Sequence, residues 1–141
     1  MIITRKVEFS ASHVCRLPNL TDEQNRSIFG LAANPQGHGH NYVLEVSVEG
    51  EPDPVTGMVL DLKELKEILY REVVDPYDHR FLNYEVSPFD QVVPTAENVA
   101  RDIWRRLGPH LKSPGPALRM VRLYETPDLY VDYLGEDDCS A

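Results

Sequence analysis

His38 and His40 stand two residues apart in Asn34-Pro35-Gln36-Gly37-His38-Gly39-His40-Asn41-Tyr42, and the residues beyond them alternate as a strand does. Tyr42, Leu44, Val46 and Val48 take one side; Asn41, Glu45, Ser47 and Glu49 take the other. Side chains two apart on a strand share a face, so both imidazoles point the same way, at the mouth of the apolar side. Two such imidazoles are two-thirds of a three-histidine zinc site, which keeps one position open for water or substrate. Gly37 and Gly39 lack a Cβ, leaving space beside the rings and letting the backbone bend. On this motif alone, a pair of exposed histidines beside a turn is the competing reading.

A third imidazole lies upstream. Ile3, Val7, Phe9 and Ala11 alternate with Thr4, Lys6, Glu8, Ser10 and Ser12, Arg5 being the exception, which predicts a half-buried strand. The same alternation puts His13 on the apolar face at the strand end, with Cys15 one step beyond. Further along, Asp78-His79 sets a carboxylate beside an imidazole in a loop, and Glu125 falls where a strand ends. Glu125 is there either solvated or a buried acceptor for a ligand's N–H groups.

The elements that must position these groups read as follows. Thr21 and Gln24 form a capping box for a short helix over 22–29, which Gly30 stops. Residues 16–37 are otherwise a connection of a length usually reserved for function, and Arg16 and Arg26 lie in it. A second strand over about 38–49 reaches the turn cluster Gly50-Glu51-Pro52-Asp53-Pro54. Met58-Val59-Leu60 is expected to be a third strand, hairpinned onto the second. Asp61 caps a helix whose face is Leu62, Leu65, Ile68, Leu69 and Val73, with Pro76 expected to end it. Thr95 caps a second helix, with Glu97 in its first turn and Ala96, Val99, Ala100, Ile103 and Leu107 as its stripe. Two last strands, about 117–125 and 129–134, join at Thr126-Pro127-Asp128. The order predicts an α+β fold, two helices packed on one face of an antiparallel sheet.

Composition narrows the function classes. A chain of 141 residues predicts one domain, 1–141, able to bury its own core. The formal charge of −9 argues against nucleic-acid binding, which needs a dense basic face. No apolar run reaches the roughly 20 residues that span a bilayer, and the opening residues do not read as a secretory signal. Cys15 and Cys139 are far apart and show neither metal-type spacing nor a disulfide framework, so a cytoplasmic setting is expected.

Five motifs together resemble the 6-pyruvoyl-tetrahydropterin synthases, a family that includes the bacterial 6-carboxytetrahydropterin synthases of queuosine-precursor synthesis. They are Phe9-Ser10-Ala11-Ser12-His13, the stretch from Asn34 to Tyr42, Asp78-His79, Pro94-Thr95-Ala96-Glu97-Asn98 and Glu125-Thr126, in the family's order. The likeness runs from about residue 2 to residue 134. It implies the T-fold (tunnelling fold), with subunits joining their sheets into a barrel, commonly a hexamer of two trimers with active sites between subunits. It implies zinc on His13, His38 and His40, and 7,8-dihydroneopterin triphosphate as substrate. Glu125 matches the glutamate that grips the pterin's amino-pyrimidine edge. His79, partnered by Asp78, matches the proton-moving histidine, contributed across a subunit boundary. Thr95 and Glu97 match pocket-lining positions.

One position departs from the pattern. The family's catalytic cysteine lies six residues before the first histidine of His-Gly-His, and here that residue is Ala32. Some members carry glutamate as the base and release a different pterin product; alanine transfers no proton. The expectation is therefore a zinc-dependent pterin lyase with a replacement base, for which Cys15 is the candidate. If the first strand stays extended through residue 15, the thiol projects on the face of His13, roughly 6–7 Å further along. A thiol that near a dication ionises close to neutral pH, and the thiolate is the reactive form. The competing class is a zinc- and pterin-binding relative without lyase activity. An unrelated His-x-His metallohydrolase of the barrel type is excluded by length, since such barrels need about 250 residues.

Overall fold

The computed structural model describes residues 1–135; Cys139, with the rest of 136–141, lies outside the described residues. Strand β1 (Ile2–His13) pairs antiparallel with β2 (His38–Glu49) along its whole length, in a register that sets His13 opposite His38. Directly opposed residues share a face. Phe9, Ala11 and His13 therefore line up with Tyr42, His40 and His38 on one side of the sheet, as the alternation of both strands requires.

The sheet has five strands in the order β3-β1-β2-β4-β5, with β3 at Arg80–Phe81, β4 at Ala117–Thr126 and β5 at Leu129–Tyr133. All pairings are antiparallel except β1 with β3, a two-residue parallel contact at Ala11 and Ser12 that the sequence pattern did not predict. The expected strand at Met58-Val59-Leu60 does not form. β2 already has β1 on one edge and β4 on the other, so no edge remains for a hairpin partner. The segment folds instead as a local turn, in which Asp53 Oδ1 accepts from the backbone N–H groups of Val55 and Thr56 at 2.7 and 3.0 Å.

Helix α1 (Asp22–Phe29) carries the expected capping box and stops at Gly30. Helix α2 (Leu62–Leu69), capped by Asp61, continues through a π-helical turn over Tyr70–Val74 into α3 (Asp75–Tyr77). Pro76 thus does not end the helix: it falls in the first turn of α3, where a missing N–H costs little, and the helical path runs to Tyr77. A short α4 (Leu82–Glu85) follows β3, and α5 (Ala96–Leu107) is capped by Thr95. The apolar faces of α2 and α5 close over the inner face of the sheet, where Val7, Phe9, Tyr42, Leu44, Val46, Val121 and Leu123 meet Leu65, Leu69, Val99, Ile103 and Leu107. No helix among the described residues is long and apolar enough to cross a membrane.

One polar cluster sits inside this core. Asp102 of α5 is 3% exposed and accepts from Tyr77 Oη, from Arg105 at 2.7 Å and from Arg106 Nε at 2.7 Å. Arg106 also donates to the carbonyl of Ser87 at 2.9 Å. The Arg105 and Arg106 side chains reach solvent, so removing Asp102 chiefly strands the buried Tyr77 hydroxyl, which costs about 1–3 kcal/mol. Asp102→Ala is therefore expected to lower stability by about that amount in chemical denaturation. A loss for Asp102→Ala below about 1 kcal/mol would mean that water relieves the cluster.

Candidate active site

The three histidines converge where β1 ends and β2 begins. Their ligand atoms all lie within 4.8 Å of one another. His13 Nε2 and His38 Nε2 face each other at 3.1 Å, and the three rings stand edge to face with centroids 4.6 to 5.1 Å apart. Zinc bound tetrahedrally at about 2.0–2.1 Å places two ligand nitrogens about 3.3 Å apart, so the spacing suits such an ion.

His13 is nearly fully buried, and burial holds its imidazole neutral down to about 4. Its Nδ1–H donates to the carbonyl of Pro94 at 2.7 Å, which leaves Nε2 unprotonated and facing the other two rings. His40 is also shifted toward its neutral form by burial, although the charge of Glu125 opposes this. His40 Nε2 is buried with no hydrogen-bond partner among the described residues. Neutral imidazoles with a free nitrogen turned inward are the donor set of a metal centre.

Gly37 serves this geometry differently from the expectation of open space. It has φ of +77°, and a Cβ there would lie 2.8 Å from the Phe81 ring and 3.2 Å from the carbonyl of His13. The chain needs glycine to turn into β2 beneath Phe81.

Glu125 sits where the β4–β5 pairing is irregular, skipped between the pairs Tyr124–Tyr130 and Thr126–Leu129. An extra residue of this kind re-aims a side chain. The Glu125 carboxylate lies 3.8 Å from His40 Nε2 and accepts no hydrogen bond among the described residues. Thr95 has its hydroxyl oxygen engaged as the α5 cap, accepting from Asn98 N–H at 3.2 Å. Glu97, exposed on the first turn of that helix, bears electrostatically on Cys15.

Cys15 does not continue an extended strand. β1 ends at His13, and Val14 is tied to Asn83 by two hydrogen bonds of 2.9 Å, so both Val14 and Cys15 become buried. The thiol sulfur stands 4.0 Å from His13 Nδ1 and 4.0 Å from the Pro94 carbonyl, on the side of the ring away from Nε2. The backbone N–H of Cys15 donates to the carbonyl of Ala32 at 2.9 Å. Burial first, then Glu125 and Glu97, push the thiol up to about 11.

Asp78 and His79 form a separate group. Asp78 Oδ1 accepts from the Ser10 N–H at 2.8 Å, which holds its carboxyl below the usual range, and Oδ2 pairs with His79 Nδ1 at 2.9 Å. The His79 side chain is 82% exposed, on a backbone of φ +61° pinned by its N–H to the Ser10 carbonyl. It borders a hollow with Ser10, Ser12, Asn41 and Arg80. Ser10, Ser12 and Asn41 belong to the sheet face opposite the triad, and His40 is the triad member that also borders this hollow.

The sequence reading missed Tyr42 as a polar group and Pro94 as the partner of His13. Tyr42 was detectable, because it continues the two-residue step from His38 and His40; nothing local announces a carbonyl 81 residues from its histidine.

Comparison with known proteins decides the family. The family model described as 6-pyruvoyl tetrahydropterin synthase matches residues 2–136. The chain belongs to this family. It is 46% identical to the 6-pyruvoyl tetrahydrobiopterin synthase of Pongo abelii over 134 residues, 95% of this chain and 91% of that protein. It is 27% identical to the 6-carboxy-5,6,7,8-tetrahydropterin synthase of Rickettsia conorii, over 92% of this chain and 96% of that one. The solved structure of the Caenorhabditis elegans 6-pyruvoyl tetrahydropterin synthase superposes with a TM-score of 0.89 at 39% identity, covering 96% of each chain. The fold is therefore the T-fold, and the family is one of pterin lyases.

Proposed function

We propose that this chain is a zinc-dependent lyase acting on 7,8-dihydroneopterin triphosphate, of the 6-pyruvoyl rather than the 6-carboxy type. The convergence of three imidazoles, with the His13 tautomer fixed by Pro94, carries the proposal. The higher identity to the 6-pyruvoyl relative supports the choice of type.

His13, His38 and His40 would hold the zinc, which when bound supplies a Lewis acid for the side-chain hydroxyls and the oxyanion that develops from them. Glu125, without a hydrogen-bond donor of its own among the described residues, accepts N–H groups from the amino-pyrimidine edge and fixes the ring. Thr95 and Glu97, at the α5 N-terminus, would line the pterin pocket. Cys15 is the group placed to take the side-chain proton that Ala32 cannot. Asp78 holds the proton on His79 Nδ1, leaving Nε2 free to exchange one.

Because the dyad opens on the opposite sheet face, His79 serves a site completed by another copy of the chain. The sheet offers two means of assembly: β5 is an edge strand, and β1 is covered by β3 only at Ala11 and Ser12. Open edges call for pairing, and a homo-oligomer, commonly a hexamer in this family, supplies it.

Incubating the zinc-loaded protein with dihydroneopterin triphosphate and identifying the product by mass spectrometry tests this reading. Loss of triphosphate to give the 6-pyruvoyl compound is the expected result. Pterin and zinc binding without any product would instead make the chain a binding member of the family, as an alanine at position 32 would allow.

A further inference from the structure

Tyr42 is completely buried, yet its hydroxyl has no hydrogen-bond partner among the described residues. The ring cannot easily swing away: it stacks on Phe9 at 5.0 Å and meets the edges of His40 at 5.5 Å and His13 at 6.3 Å. Leaving a buried hydroxyl unpaired costs about 1–3 kcal/mol, so such groups in native sites generally wait for a partner. On β4, Leu123 lies opposite Leu44 and Tyr124 opposite Val43. The next step along both strands brings Tyr42 beside Glu125. The phenol O–H is the donor this position offers.

A carboxylate acceptor next to a hydroxyl donor is a two-part reader. Glu125 accepts N–H groups, and a neighbouring donor matches a carbonyl on the same ring edge. The 2-amino-4-oxo edge of a pterin presents that series: an amino N–H, a ring N–H and a carbonyl oxygen. We propose that the Tyr42 hydroxyl donates to the ring carbonyl of the pterin and sets the preference of the site for a 4-oxo ring. This rests on the pterin-binding reading of the site and adds a specificity residue to it.

The test compares two ligands, pterin and 2-aminopteridine, which lacks the ring oxygen, by titration calorimetry on zinc-loaded protein. Wild type is expected to bind pterin well over tenfold more tightly than 2-aminopteridine, which lacks the ring N–H that Glu125 reads as well as the oxygen, so the effect of Tyr42→Phe on each ligand is the deciding comparison. Tyr42→Phe, with zinc content confirmed unchanged, should weaken pterin roughly tenfold and leave 2-aminopteridine within about twofold. Equal weakening of both ligands would overturn the proposal and show that the hydroxyl merely steadies Glu125. So would an unchanged pterin affinity. The Glu125→Ala variant separates the two levels of the argument, since it should weaken pterin by at least about tenfold. If wild type binds neither ligand, or Glu125→Ala binds pterin normally, the pterin reading itself fails. If Glu125 matters and Tyr42 does not, only the specificity proposal falls. Should Tyr42→Phe lose zinc, wild type and Tyr42→Phe are compared on metal-free protein, where a loss confined to pterin supports the proposal and an equal loss of both ligands overturns it.

Discussion

Replacing His38 and His40 together by alanine is expected to abolish zinc binding and, with it, all measurable turnover. The site has three imidazoles and no other ligand of comparable quality. Among the described residues, His13, His38 and His40 form the one His, Cys, Asp and Glu group whose ligand atoms come within 4.8 Å. Removing two leaves His13 alone, a single nitrogen fixed by the Pro94 carbonyl. Neighbours offer no substitute. Glu125 is 3.8 Å from His40 Nε2, and the thiol of Cys15 is behind the His13 ring, away from Nε2. Metal analysis should fall from about one zinc per subunit to near zero. The fold should survive, because the apolar core formed by β1, β2, β4, α2 and α5 does not pass through the histidine rings. Full zinc occupancy in a folded double variant would falsify the assignment of the triad.

Strands whose two faces see different environments were legible from the sequence. β1 and β2 alternate over a dozen residues each because one face packs on helices and the other does not, and this carried His13, His38 and His40 to one place. The capping residues Thr21, Asp61 and Thr95 were legible for a similar reason, since each acts on backbone within three residues of itself. What failed depended on partners remote in sequence. Met58-Val59-Leu60 has the composition of a strand, but a strand needs an edge, and β4, some 60 residues later, had taken it. The end of β1 at His13 was legible, but the conditional extension to Cys15 failed because Val14 is held by Asn83. Pro76 looked like a helix terminator, and the π-helical turn before it instead let a new helical turn begin with proline in its first turn. Asp102 lies beside the apolar stripe of α5, and only the folded chain shows Tyr77 and Arg106 closing on it.

Replacing Cys15 by alanine is expected to lower turnover about 10²–10⁴-fold, the usual contribution of a positioned proton-transfer group. The reason for expecting so much of this thiol is its place. The resemblance expects a cysteine at position 32, where this chain has Ala32, and the Cys15 N–H bonds to the Ala32 carbonyl at 2.9 Å. Its electrostatics set the condition for working. Burial with the fields of Glu125 and Glu97 raises its pKa to about 11, so without metal the thiol is protonated at neutral pH. A dication on the neighbouring imidazoles opposes those two negative fields and draws the titration downward. Alkylation of Cys15 should therefore be slow near neutrality in metal-free protein and faster once zinc is loaded, provided the reagent reaches a residue only 5% exposed. A purely packing cysteine would show neither zinc-dependent alkylation nor a large kinetic loss. The variant must first be shown to keep its zinc and its assembly, because the sulfur also packs 4.0 Å from His13 Nδ1. Turnover within about threefold of wild type would then remove Cys15 from the reaction and leave His79 as the proton-transfer group. If turnover collapses, adding Ala32→Cys to the Cys15→Ala protein should recover part of it, since residue 32 is hydrogen-bonded through its carbonyl to the backbone of residue 15.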